Sequence, residues 1–129
     1  MRLTLIACLA LPALILTACE KALEAPRDRG VCWHLAQGPG GAVKFNRLAD
    51  QQPDLEHCAG QLEAMRMRFN ALGATRSEVT GSYQGQFLFL QREGVFTAQS
   101  YKGYRYPLMV RTGDGRLAVP GAMPTAPRP

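Results

Sequence analysis

Apolar and polar positions change rhythm several times along the chain, and each rhythm predicts an element. Residues 3–18 run without a charge and are broken only by Thr4, Pro12 and Thr17. Residues 31–36 alternate, with Val31, Trp33 and Leu35 on one side and Cys32 and His34 on the other, as a half-buried strand does. Residues 42–48 bring Val43 and Phe45 to one face, and Gln37, Gly38, Pro39, Gly40 and Gly41 lie between. This predicts a β-hairpin with a glycine-rich connection. Over residues 53–72 the period lengthens: Leu55, Cys58, Leu62, Met65, Phe69 and Leu72 recur at three- and four-residue steps, which makes one stripe of an amphipathic helix. Pro53 suits its first turn, Asp54 and Glu56 its positive end, Arg66 and Arg68 its negative end, and Gly73 its stop.

Beyond the helix, residues 76–83, 86–92, 95–101, 104–111 and 116–119 read as an antiparallel meander, with turn chemistry at Glu93–Gly94 and at 112–115. A turn centred on Glu93 and Gly94 puts Phe87, Phe89, Phe96 and Ala98 on one face, and Leu88, Leu90, Val95, Thr97 and Gln99 on the other. The aromatic face is expected to meet the helix. The whole predicts an α+β domain over residues 30–119: an N-terminal hairpin, one helix, and a meander with the helix on one face. The Leu88, Leu90 and Val95 side then needs another cover, either the first hairpin or a partner, because large apolar patches usually mark contacts.

The uncharged opening run follows a positive Met1–Arg2 start and has the layout of a secretory signal. A spanning helix needs about 20 apolar residues, and Pro12 would break this shorter run. Leu16, Thr17, Ala18 and Cys19 resemble the lipobox of bacterial lipoproteins. The resemblance implies removal of residues 1–18, thioether lipidation of Cys19 and acylation of the new amino terminus, which together anchor the protein in a membrane. Glu20 follows the cysteine where aspartate is the usual inner-membrane retention residue, so the expected address is the outer membrane, facing the periplasm. Residues 19–29 lack apolar periodicity and read as a lipidated start and tether. Residues 120–129 hold four prolines and read as a disordered tail.

Under that resemblance Cys8 leaves with the signal and Cys19 carries lipid, so Cys32 and Cys58 remain for each other. In an oxidising compartment two such thiols pair. The bridge would close a loop of 27 residues and stabilise by about 3.5 kcal/mol in chain-entropy terms.

Charge sharpens the picture only by its distribution. Residues 30–73 hold four basic and four acidic side chains, while residues 74–129 hold seven basic and three acidic. The positive excess therefore falls in the second half, where anionic headgroups, phosphorylated sugars or acidic proteins would be attracted; nucleic acid does not fit an envelope address.

Cys32, His34, His57 and Cys58 contain zinc- or copper-type ligands. However, His57 and Cys58 are neighbours on a helix and point about 100° apart, so a disulfide is the better use of the cysteines, and no metal or other cofactor is expected. A Cys58 nucleophile with His34 as base would need an exposed thiol of lowered pKa, which a cysteine on the apolar stripe does not supply. Glu56, Glu63, Glu78, Glu93 and Asp114 show no pairing of a desolvated acid with an ionised partner and read as solvated surface. The most binding-like segment is Tyr101, Lys102, Tyr104, Arg105 and Tyr106, where aromatic faces and cations interleave. The competing reading is a half-buried strand face with its cations in solvent. These features favour a non-enzymatic, lipid-anchored module that binds another envelope protein, ahead of one that recognises anionic glycan or lipopolysaccharide through the Tyr/Lys/Arg segment, and ahead of a small periplasmic hydrolase.

Overall fold

A computed structural model describes residues 21–73 and 78–120. The expected signal segment, Cys19, residue 76 at the start of the first expected meander strand, and the expected tail from residue 121 lie outside them. The elements are β1 (Cys32–Gln37), a one-turn 3-10 helix (Pro39–Gly41), β2 (Val43–Ala49), α1 (Leu55–Ala71), β3 (Val79–Tyr83), β4 (Gln86–Leu90), β5 (Gly94–Ala98), β6 (Tyr106–Arg111) and β7 (Leu117–Ala118). All seven strands form one antiparallel sheet in the order β2-β1-β3-β4-β5-β6-β7. The chain is an α+β domain with one helix packed on the sheet, as the pattern predicts.

The helix starts where Asp54 caps it: the carboxylate accepts from the His57 backbone N–H at 2.8 Å, satisfying one of the orphan donors of the first turn. That backbone bond, with help from the His57 ring, holds the Asp54 carboxyl below its ordinary value. At the other end Gly73 takes φ +81°, the left-handed geometry in which glycine carries no Cβ penalty. Because β1 lies between β2 and β3, which run parallel to one another, α1 is a crossover that passes over β1.

The helix meets the opposite face of the sheet from the one the sequence suggests. Cys58, Ala59 and Leu62 pack with Cys32, Val79, Tyr83, Leu88, Leu90 and Val95, so the aliphatic side is the helix side. Phe87, Phe89 and Ala98 belong to a separate cluster with Leu35 and Ala25, joined by Leu23, Val43, Phe45, Phe96 and Tyr101. The division of the β4–β5 hairpin into two faces holds; the choice of face for the helix is reversed. The reason lies at Gly81, the register partner of His34 and Leu88. A Cβ there would stand 2.5 Å from the Trp33 carbonyl oxygen and 2.8 Å from Leu62 Cδ2, so a missing side chain is what lets Leu62 seat against the backbone. The helix fills the Leu88, Leu90 and Val95 side, and that face no longer requires a partner.

The aromatic side is closed by the chain itself. Phe45 on β2 and Phe87 on β4 have ring centroids 6.5 Å apart, although three strand spacings of about 4.8 Å separate their strands in a flat sheet. Gln37, at the end of β1, donates from Nε2 to Tyr101 Oη at 3.1 Å across the same face. The sheet is therefore curled, with the aromatic side concave. Residues 19–29, read as a tether, are also corrected in part: Leu23 packs on this cluster, Ala25 is buried in it, and the Pro26 carbonyl accepts from Gly85 N–H at 2.9 Å. Leu23 and Ala25, together with the Pro26 hydrogen bond, dock a segment without periodicity on the concave surface.

Candidate functional site

Cys32 and Cys58 form the disulfide, with Cα atoms 5.2 Å apart and both residues fully buried. Their sulfurs are thus committed to each other, and neither is a ligand or nucleophile. His34 is buried facing Phe69 of α1 at 6.2 Å between ring centroids. His57 is exposed and contacts Asp54 through Nδ1 at 2.6 Å. Among the described residues no group of three or more His, Cys, Asp or Glu is placed to hold a metal ion, and no helix is long and apolar enough to cross a membrane.

The five residues of the Tyr/Lys/Arg segment divide into two groups. Tyr101 turns inward, its ring 5.7 Å from Phe87 and 6.0 Å from Phe89. Arg105 also turns inward: its guanidinium carbon lies 3.5 Å above the centre of Phe89, and Nη1 donates to Glu78 Oε2 at 3.1 Å. Outside stand Tyr104, 76% exposed, and Tyr106, 58% exposed, edge to face with centroids 4.8 Å apart. Lys102 is also exposed.

Two cavities are formed, the smaller reaching from Phe69 on the helix side to Tyr101 on the concave side and the larger opening on the concave side. The smaller, about 160 Å³, is lined by His34, Gln37, Glu78, Thr80 and Tyr101 among others, and lies where the β1–β3 pairing ends at His34 and Gly81. Among the described residues its one carboxylate, Glu78, is already held by Arg105 and by Gln91 Nε2. The larger, about 510 Å³, lies between the N-terminal segment, the β1–β2 connection and the β5–β6 loop, and Lys21 and Lys102 both line it.

Glu63 is not the solvated surface residue that the sequence suggests. Its side chain is 12% exposed and bridges Arg66 on the same helix and Arg111 on β6, and Arg111 also donates to the Gln91 and Gly115 carbonyls. Burial pushes the Glu63 carboxyl up, but hydrogen bonds from Arg66 and Arg111, reinforced by their charges, overcome it and hold the pKa at about 2. The folded value lies below the ordinary 4.5, so the stabilisation is complete above that value and fades as the pH falls from about 4.5 toward about 2. Glu63→Gln is expected to cost about 2 kcal/mol near neutrality, because two part-buried guanidinium groups lose their carboxylate. Denaturant melts from pH 7 to pH 2.5 should show the gap between the variant and the natural protein narrowing over that window. A constant gap would mean the pair is not the cause.

Sequence reasoning missed both this pin and the docked segment. The pin joins residues 48 apart in sequence, and no local pattern links them. Leu23 and Ala25, two residues apart on an extended chain, were the only local trace of the docking.

The chain matches no protein-family model, and no curated protein or solved structure matches it.

Proposed function

We propose that the protein is a lipid-anchored module of the bacterial envelope that binds another envelope protein, without catalysis, and that the Tyr104–Tyr106 pair is its contact surface. The observation that carries this reading is the exposure of two tyrosines packed against each other at the start of β6. Two ringed side chains held in one geometry lose little conformational freedom on contact and bury much apolar area, which is why tyrosine is enriched among residues that dominate interfaces. The lipid anchor at Cys19 is supported by the lipobox resemblance and gives the module its address, with the outer membrane preferred over the inner. Recognition of anionic glycan through Tyr101, Lys102, Tyr104 and Arg105 is less favoured, because Tyr101 and Arg105 already serve the concave face.

A photo-crosslinking amino acid placed at position 104 of the full chain in its envelope should yield a discrete adduct, absent when the same probe replaces exposed Gln61 on α1. Tyr104→Ala with Tyr106→Ala should move stability by less than about 0.5 kcal/mol while cutting the adduct, probed from Lys102, by about tenfold or more. Equal adduct yields at 104 and 61 would overturn the contact surface. The mass of the mature amino terminus tests the anchor separately.

A further inference from the structure

We infer that the 510 Å³ cavity beside the N-terminal segment seats the phosphate headgroup of an anionic membrane lipid, held by Lys21 and Lys102. The source of the ligand rests on the lipid-anchor reading above; its chemistry rests on the cavity. Its volume falls within the range of small-ligand sites, about 300–1,000 Å³. Lys21 enters from the docked segment and Lys102 from the β5–β6 loop, with Ala22, Leu23, Val43 and Tyr101 among the other walls. Among the described residues no carboxylate lines it and neither lysine forms an ion pair. Of the arginines described in the second half, Arg105, Arg111 and Arg116 are each matched to an acid, whereas Arg92, like the two lysines, forms no ion pair within the described residues. Two unmatched ammonium groups on one cavity attract a single multivalent anion, and lysine binds phosphate as a point charge.

The remaining walls select an amphiphile over a simple ion. Leu23, Val43 and Tyr101 also belong to the aromatic cluster of the concave face, so the cavity passes from a cationic rim to an apolar floor. A phosphate at the rim would leave the glycerol and the first methylenes against that floor. Position points to the same ligand. Lys21 follows Cys19 by two residues, which span at most about 7 Å of extended chain. An acylated Cys19 would hold the rim at the level of the lipid phosphates, so Lys21 and Lys102 would meet headgroups without displacing the docked segment.

The test is a titration of the full chain in nonionic detergent micelles, following the backbone amide resonances of Leu23 and Lys102. Short-chain phosphatidylglycerol should shift both saturably. Short-chain phosphatidylcholine, whose choline offsets the phosphate charge, and inorganic phosphate should each bind about tenfold more weakly or worse. Lys21→Glu and Lys102→Glu should each weaken the phosphatidylglycerol response by at least about fivefold, with unfolding midpoints unchanged because both side chains are exposed. Absence of saturation, or saturation indifferent to both substitutions, would overturn the site. Inorganic phosphate binding as tightly as phosphatidylglycerol would overturn the lipid assignment. The titration does not depend on the modification of Cys19, so an unlipidated amino terminus found by mass spectrometry would defeat the anchor alone.

Discussion

Replacing Cys32 and Cys58 together by alanine is expected to lower the unfolding free energy by about 3.5 kcal/mol, the loop-closure value for a bridge spanning 26 positions. Both residues are fully buried on the helix side of the sheet. The bridge ties α1 to β1, and α1 otherwise buries only Ala59 and Leu62 completely. Small domains keep about 5–15 kcal/mol in all, so this loss would be a large share. Denaturant titrations should show a lower midpoint together with a steeper dependence on denaturant, because an uncrosslinked unfolded chain exposes more surface. If the double variant does not fold, the natural protein titrated with and without reductant gives the same comparison. Unchanged midpoints in both experiments would remove the bridge from the account of stability.

The pairing of these cysteines could be reasoned out from the sequence once Cys8 and Cys19 were set aside, but its consequence for the fold could not. Cys32 stands opposite Tyr83 in the β1–β3 register, and Tyr83 shares its face with Val79, Leu88 and Leu90. The bridge therefore ties the helix to the same side of the sheet on which Gly81 leaves room for Leu62. That inference needs the register between β1 and β3, strands separated by the whole helix, and alternation within each strand carries no information about it. The larger apolar content of Phe87, Phe89 and Phe96 favoured the wrong face because hydrophobicity alone does not record the room that Gly81 leaves.

Local chemistry was read more securely than long-range assembly. Helix α1 begins one residue after a capping aspartate and ends at a glycine, both visible in the sequence, and the order of the meander strands follows from their turns. The Tyr/Lys/Arg segment shows the limit. Alternation proposed that its cations lie in solvent, yet Arg105 lies over Phe89 and reaches Glu78, whereas Tyr104 and Tyr106 face outward. Curling of the sheet brings the β5–β6 loop back over the concave face, and the loop's own sequence does not specify that curl. The same curl makes a floor for Leu23 and Ala25, and so turns an expected tether into one wall of a cavity.

Leu62→Ala is expected to cost about 3 kcal/mol, the scale set by deleting a fully buried leucine and leaving part of its volume empty, since Leu62 is wholly inaccessible. Gly81→Ala alone should cost about 2 kcal/mol for the opposite reason. Its new methyl would meet Leu62 and, at 2.5 Å, the Trp33 carbonyl oxygen, and overpacking of a well-filled site typically costs 1–3 kcal/mol. The two changes should not add. With Leu62 shortened, the alanine methyl at position 81 enters the space that the leucine vacates, so the double variant should be about 1 kcal/mol more stable than the sum of the singles predicts. The rescue should stop there, because the clash with the Trp33 carbonyl is with backbone shared by the β1–β3 pairing and cannot relax by a rotamer change. Denaturant melts of the four proteins measure the coupling directly. A coupling near zero would mean that Gly81 is required for the strand pairing alone, and that its contact with Leu62 does not determine which face the helix takes.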